Sequence, residues 1–377
     1  MIDTILLFDM DGVLLQPRGY HKALQETVRL AGQALGFEDP RLTQEDIYTF
    51  EAAGITSEWD SSALCLAWML KEAWQHDPTI IPPKDISSPV TTHPAIPALD
   101  WEPLLETLSH ISSENETVLQ GVSTLLQKDL PLPKQDQIAR IIHQAHNVQA
   151  SLTHRTFQEL VLGSRIFESR YPFSAQLDCP GTLQRYDQSN LSPQHVDRIK
   201  EWLGTKNKAA IFTNRPSQPP GELFSTPEAE LGAEKVGLTE LPIVGYGEMI
   251  WLAEKWNRPV DDFRKPSPVH TLAALLEAAG VPKRTALQES ANLVLKQSVP
   301  TSWQNLSGVN VFVFEDTTAG LQSALSAKAV LDASGIDLKM VGIGITDDGG
   351  KRAALEEYGA RVYPDLAQGL RDQFTWF

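Results

Sequence analysis

The chain opens on an apolar run, Thr4-Ile5-Leu6-Leu7-Phe8, that stops abruptly at Asp9-Met10-Asp11-Gly12. A short run that is apolar at consecutive positions has the signature of a strand buried on both faces. From Tyr20 the grammar becomes helical: Leu24, Val28, Ala31 and Leu35 fall on one stripe, and Gly36 closes the segment. Thr43-Gln44-Glu45-Asp46 reads as a helix start, with Gly54 as its end, and a further helix is expected from Ser57 to Trp74. Residues 78–103 lose the periodicity. They carry Pro78, Pro82, Pro83, Pro89, Pro94, Pro97 and Pro103 and read as an irregular excursion. Helical patterning returns from Ser112 to about Arg170, broken around Pro131 and Pro133, and nothing between 18 and 170 reads as a strand. The tryptophans of this region, Trp59, Trp68, Trp74 and Trp101, read as packing anchors.

After Pro180-Gly181 strands and helices alternate. Ser192-Pro193 couples an N-cap to a proline at the first helical position, and Gly204 closes that helix. Lys208–Thr213 reads as a strand, and Ser267-Pro268 opens a second helix that Gly280 closes. Val309–Phe314 is a strand followed by a helix over Thr317–Lys328. Val341–Thr346 is a strand followed by a helix up to Gly359, and Arg361–Tyr363 is a short last strand. This alternation predicts an α/β fold built on a doubly wound parallel sheet, which the isolated first strand also needs as a partner. The expected organisation is a discontinuous core of residues 1–17 and 181–377, with a mainly α-helical domain inserted over residues 18–180. The stretches Thr213 to Lys265 and Lys265 to Asp316 are each longer than one βαβ unit, so further elements are expected at 217–240 and 283–307.

Composition changes this picture little but limits the partners. The 377 residues are 42% hydrophobic and 21% charged, and no apolar run approaches the roughly 18 residues of a membrane span. Lys and Arg number 32 against 48 Asp and Glu, a net charge of −16. That excess opposes binding to nucleic acid or to an anionic membrane, but not to a small phosphorylated ligand in a locally positive pocket. Cys65 and Cys179 make neither a disulfide framework nor a zinc site, and two unpaired thiols are the simpler expectation. The amino terminus shows no basic segment before the acidic Asp9, so the chain is read as cytoplasmic. The sequence leaves the oligomeric state open.

In open α/β sheets, ligands bind at the carboxyl ends of the strands. Those ends hold Asp9 and Asp11, Thr213-Asn214, and Glu315-Asp316. Four carboxylates meeting on one rim repel one another, and a divalent cation relieves the repulsion; oxygen donors alone suit Mg²⁺. Lys265, just before the helix start at Ser267, is placed to add a compact positive charge. A carboxylate nucleophile, a second carboxylate two residues on, a hydroxyl, a lysine and a magnesium site together form a phosphoryl-transfer set.

Four segments, in order, resemble the motifs of the haloacid dehalogenase-like superfamily: Phe8–Val13, Ile211–Asn214, Lys265–Pro268 and Phe314–Gly320. Their local forms are most similar to the phosphoglycolate phosphatase and β-phosphoglucomutase branch. The resemblance covers residues 1–24 and most of 192–377 and does not extend across 25–180. It implies a Rossmann-like core with an enlarged cap between the first two motifs. It also implies a phosphatase that hydrolyses a small phosphorylated metabolite through an aspartyl-phosphate. Asp9 would be the nucleophile and Asp11 the acid/base. The Asp9 carboxylate, the Asp11 backbone carbonyl and the Asp316 carboxylate would hold Mg²⁺, with Glu315 bound directly or through water. Thr213, the Asn214 backbone and Lys265 would hold the phosphate. Asp11 argues against the dehalogenating relatives, which lack a second aspartate, and against the transport ATPases, which carry threonine there.

The chain departs from the branch at Gln16-Pro17, where an acidic residue and a serine or threonine are usual. His21 resembles a histidine used at the cap hinge or against substrate in β-phosphoglucomutase, which keeps a sugar phosphomutase as an alternative. Arg18 and Lys22 are candidates to meet a substrate anion, against the plainer reading of solvated surface cations. The size of the insert supports a third, non-enzymatic reading, a regulatory or binding module. The stretch Gly344–Lys351 resembles a phosphate loop only superficially, because no Ser or Thr follows the lysine.

Overall fold

Strand β1 (Thr4–Phe8) lies inside a six-stranded sheet and pairs on both sides. In this computed structural model, which describes residues 2–86, 96, 99–110, 118–296 and 299–377, the chain divides into two units. One comprises Met1–Pro17 with Asp187–Phe377, the other Arg18–Tyr186. The first unit holds two further short strands, β2 (Leu15–Gln16) and β3 (Gln188–Ser189), paired with each other in antiparallel fashion. It also holds β4 (Asn207–Phe212), β5 (Ile243–Val244), β6 (Asn310–Glu315), β7 (Lys339–Ile345) and β8 (Arg361–Tyr363). The sheet order is β5-β4-β1-β6-β7-β8, and every pairing in it is parallel.

The continuous apolar runs have their physical reason in this sheet, whose two faces are both covered. Alternate residues of a strand point to opposite faces. Ile5, Leu7, Ala210, Phe212, Val311 and Val313 pack with helices Pro268–Ala278, Lys283–Lys296 and Thr318–Ala333. Leu6, Phe8, Ala209, Ile211 and Phe314 pack on the other side with helices Pro193–Trp202, Glu228–Val236 and Leu366–Gln373. Both faces are covered by apolar side chains, and the polar residues of β1, β4, β6 and β7 stand at or next to the strand termini.

Helices Glu228–Val236 and Lys283–Lys296 occupy the two stretches expected to hold extra elements. Strand β5 and helix Tyr246–Trp256 were not legible, because a two-residue strand has no period to read.

The second unit is helical. Among the described residues its helices of eight residues or more are Gly19–Ala34, Gln44–Ala52, Glu58–His76, Glu102–His110, Val118–Gln127, Leu132–His143 and Leu152–Leu162. A capping box at Thr43 and Asp46 starts the second of these. Trp68, Trp74 and Trp101 each donate their indole N–H to a backbone carbonyl, of Asp100, Ile80 and Arg41 respectively, and Trp59 stacks on His154 at 4.3 Å. Cys65 is buried, Cys179 is half-buried, and both are free thiols. The return boundary falls between Tyr186 and Asp187 rather than at 180/181, because the short helix Thr182–Tyr186 packs against Gly19 and belongs with the helical unit. The helix Glu102–His110 begins within the proline-rich stretch. Pro89, Pro94, Pro97 and the helix start expected at Ser112 lie outside the described residues.

Candidate active site

The register of the central strands brings three sequence-distant segments to one edge. Phe8 pairs with Ile211 on one side and Phe314 on the other, and the Asp9 N–H donates to Phe314 O at 2.9 Å. The residues that follow, Asp9 and Glu315, and Thr213 one position further along, just past the end of β4, therefore sit at the carboxyl edge of the sheet, where parallel-sheet proteins hold their ligands. After Asp9 the chain turns tightly: Leu14 and Leu15 both donate their N–H to Met10 O, and Gly12 adopts φ +77°. A side chain at Gly12 is excluded twice, by that left-handed backbone and by Asp316, whose Oδ2 would lie 2.3 Å from the added Cβ.

Lys265 is buried among these groups. Its ammonium donates to Asp9 Oδ1 at 2.7 Å and to Glu315 Oε1, and lies 3.7 Å from the centre of the Phe212 ring. The peptide bond to Pro266 is cis. The lysine backbone N–H donates to His270 Nδ1, while the other ring nitrogen of His270 meets Val244 O at 3.0 Å. Burial and the nearby Lys265 charge push His270 down to about 3, so the ring is a neutral support for the lysine. Burial opposes the charge of Lys265 itself, but Asp9 and Glu315 outweigh it and hold the ammonium above its ordinary range.

Glu315 is fully buried at the end of β6, three residues before helix Thr318–Ala333, and accepts from the Thr317 hydroxyl at 3.0 Å and the Thr317 N–H at 3.3 Å. Its carboxylate lies so close to the helix backbone that a Cβ at Gly320 would come within 1.8 Å of Oε1. Asp316, half-buried, accepts from Lys351 at 3.1 Å. Carboxylate oxygens of Asp9, Glu315 and Asp316 lie within 4.8 Å of one another. Burial, followed by the charge of Glu315, pushes Asp9 well up, and the opposing pull of Lys265 does not cancel the rise. Asp316 is pushed up to about 6 by burial, against the pull of Lys351. A donor set made of oxygen alone, whose members resist their shared negative charge, fits a hard divalent cation.

Asp11 points elsewhere. Its two carboxylate oxygens each accept from Arg215 Nε at 2.9 Å, and Oδ1 also accepts from Arg215 Nη2 at 2.5 Å. The same Nη2 donates to Asp187 Oδ2 at 2.9 Å. Among the described residues the Asp11 carboxylate is therefore not part of the acidic cluster. Thr213 is buried at the end of β4, where its hydroxyl accepts from the Arg215 N–H at 3.2 Å, and Asn214 is exposed in the turn that follows.

The remaining candidates belong to the helical unit. Both ring nitrogens of His21 are engaged there, by Gln44 at 2.7 Å and by Glu51 at 2.9 Å. Arg18 is exposed and directly precedes helix Gly19–Ala34. Lys22 lines a cavity of about 570 Å³ together with Arg29, Arg41, Thr182, Arg185 and Tyr186.

Arg215 and Lys351 are among the residues of the sheet-bearing unit that escaped the sequence reading. Arg215 follows the Thr213-Asn214 motif directly, so adjacency was its only signal. Lys351 sits in the stretch set aside as a false phosphate loop, yet it reaches Asp316 from helix Gly349–Glu357. Compared with known proteins, the chain matches no family model, no curated protein and no solved structure.

Proposed function

We infer that this chain is a Mg²⁺-dependent phosphatase of the haloacid dehalogenase type, hydrolysing a small-molecule phosphate monoester through an aspartyl-phosphate on Asp9. The observation that carries the reading is the buried ammonium of Lys265 bridging Asp9 and Glu315 at the carboxyl edge of a parallel sheet. A lone structural lysine has no need of two carboxylates from two different strand ends. On this reading residues 18–186 form the inserted cap and confer substrate choice, and the enzyme works in the cytoplasm.

The chain's own residues account for each step. Asp9 attacks phosphorus, forming a carboxylate oxygen–phosphorus bond as the ester oxygen departs, and Asp11 gives that oxygen its proton. A water then attacks the same phosphorus and passes a proton to Asp11. The bond to Asp9 breaks and inorganic phosphate leaves. Lys265, Thr213 and the Asn214 backbone offset the charge of the phosphoryl oxygens. Asp9, Glu315 and Asp316 would hold the cation, which neutralises phosphate charge when bound.

The test is a panel of sugar phosphates, nucleotides and aryl phosphates assayed with and without Mg²⁺. Release of phosphate from at least one member is expected to depend on Mg²⁺ and to vanish in Asp9→Asn. A panel in which the wild-type chain releases no more phosphate than Asp9→Asn overturns the reading.

A further inference from the structure

Arg215 has no place in the four-motif chemistry, yet it is the most heavily engaged cation at this edge of the sheet. Its side chain is 2% exposed, that of Asp187 1% and that of Asp11 35%. Nη2 of the guanidinium is thus shared between the buried Asp187 and the partly exposed Asp11, and Nε meets Asp11 as well. We propose that Arg215 is the positioning residue for Asp11, and that Asp187 is the counter-charge that sets Arg215. The role rests on the phosphatase reading above, in which Asp11 handles the proton.

Three features support it. First, a guanidinium is planar and its donors are fixed in direction, so contacts from Nε and Nη2 to one carboxylate set the rotation of that carboxylate as well as its distance. An ammonium would supply charge without orientation. Second, Arg215 is itself held at the backbone. Its N–H donates to the Thr213 hydroxyl and its carbonyl accepts from the Tyr246 N–H at 2.9 Å, so the phosphate-side strand end and the Asp11 carboxylate share one rigid support. Third, Asp187 begins the segment by which the chain re-enters this unit. The residues after it, Gln188 and Ser189, pair with Leu15 and Gln16. Asn190 then donates through Nδ2 to Val13 O at 2.9 Å and through its backbone N–H to Leu14 O at 2.9 Å. The turn that carries Asp11 is therefore gripped by the re-entry segment through its backbone and, by way of Arg215, through its acid/base side chain.

A purely structural ion pair and a positioning role differ in their dependence on the leaving group. Protonation matters greatly for an alkoxide and little for p-nitrophenolate. In full-length Arg215→Met, kcat/KM for β-glycerophosphate is expected to fall on the order of 100-fold, and that for p-nitrophenyl phosphate by about a tenth as much. Asp11→Asn should show the same signature. The double variant should lose no more than Asp11→Asn alone, because the two residues act as a unit. Arg215→Lys should fail to restore the alkyl substrate, and Asp187→Asn should give a weaker form of the same pattern. These two variants also carry the test if Arg215→Met does not fold. Equal losses on both substrates, or additive losses in the double variant, overturn the proposal while leaving the phosphatase reading intact. A wild-type chain inactive on both substrates and on the wider panel overturns the phosphatase reading, and this role with it.

Discussion

The ammonium of Lys265 and Oδ1 of Asp9 lie 2.7 Å apart, although 256 positions of sequence separate the two residues. The contact is buried, and it includes Glu315 as a second acceptor. An ion pair in this setting is weak evidence for stability, because desolvation offsets much of the attraction, but removing one partner strands the other charges. Lys265→Met is therefore expected to lower unfolding free energy by about 3–5 kcal/mol in urea titrations and, under the proposed phosphatase function, to abolish phosphate release. A variant as stable as the wild type would show that the three groups are not electrostatically coupled.

The acidic cluster should report cation binding without any turnover. Three carboxylates that resist ionising together gain from a shared cation, so Mg²⁺ is expected to raise the melting temperature of the wild-type chain. A ligand at 100 times its dissociation constant contributes about 2.7 kcal/mol. Asp316→Ala should remove most of that shift, and EDTA should reverse it in the wild type. A shift that is unchanged in Asp316→Ala would place the cation elsewhere.

Gly320 gives a prediction whose sign is opposite to the usual rule. Replacing a helical glycine by alanine generally stabilises by about 0.4–1 kcal/mol. Here the new Cβ would come within 1.8 Å of Glu315 Oε1, and that carboxylate is fully buried and held by Lys265 and Thr317, bonds it would have to break to move away. Gly320→Ala is expected to destabilise by about 1–3 kcal/mol and to weaken the Mg²⁺ shift. Thermal melts with and without Mg²⁺ decide the matter, and a stabilised variant would count against this packing.

Glu277, on helix Pro268–Ala278, supplies a pH dependence away from the acidic cluster. Its Oε1 has no hydrogen-bond partner among the described residues. Burial pushes its carboxyl up from 4.5 to about 8, against the pull of Lys283 and with support from Glu248. A folded-state value above the unfolded one means that the native state holds the extra proton. Glu277 therefore costs nothing below about pH 4.5, and stability declines as the pH rises toward 8. Glu277→Gln should flatten that decline. The stability difference between variant and wild type should grow by about 1–3 kcal/mol between pH 5 and pH 8. Parallel curves would mean that Glu277 is already ionised at neutral pH.

Much of the sheet could be read from the chain because burial on both faces leaves a local imprint. Thr4–Phe8 and Val309–Phe314 are apolar or nearly so along their length, and they stop at Asp9 and at Glu315-Asp316. The helices were legible where a cap or a proline marks the start, as at Thr43, Ser192 and Ser267. Strand β5 left no such imprint, since two residues between a proline and a glycine could belong to any turn. The boundary at Tyr186 was equally silent. Thr182–Tyr186 is a helix of one turn whose membership is decided by what it packs against.

The sequence by itself determined which residues can stand at the carboxyl edge, because a strand covered on both faces excludes polar side chains until it ends. Only the tertiary structure decided how those residues are paired. Arg215 reads locally as a surface arginine in a loop, and Lys351 as part of a glycine-rich turn. Their roles depend on Asp11, Asp187 and Asp316, which lie 204, 28 and 35 positions away along the chain. Charge pairing acts through space with no periodicity along the chain, so a pattern of residues shows where charged groups collect but not which of them meet.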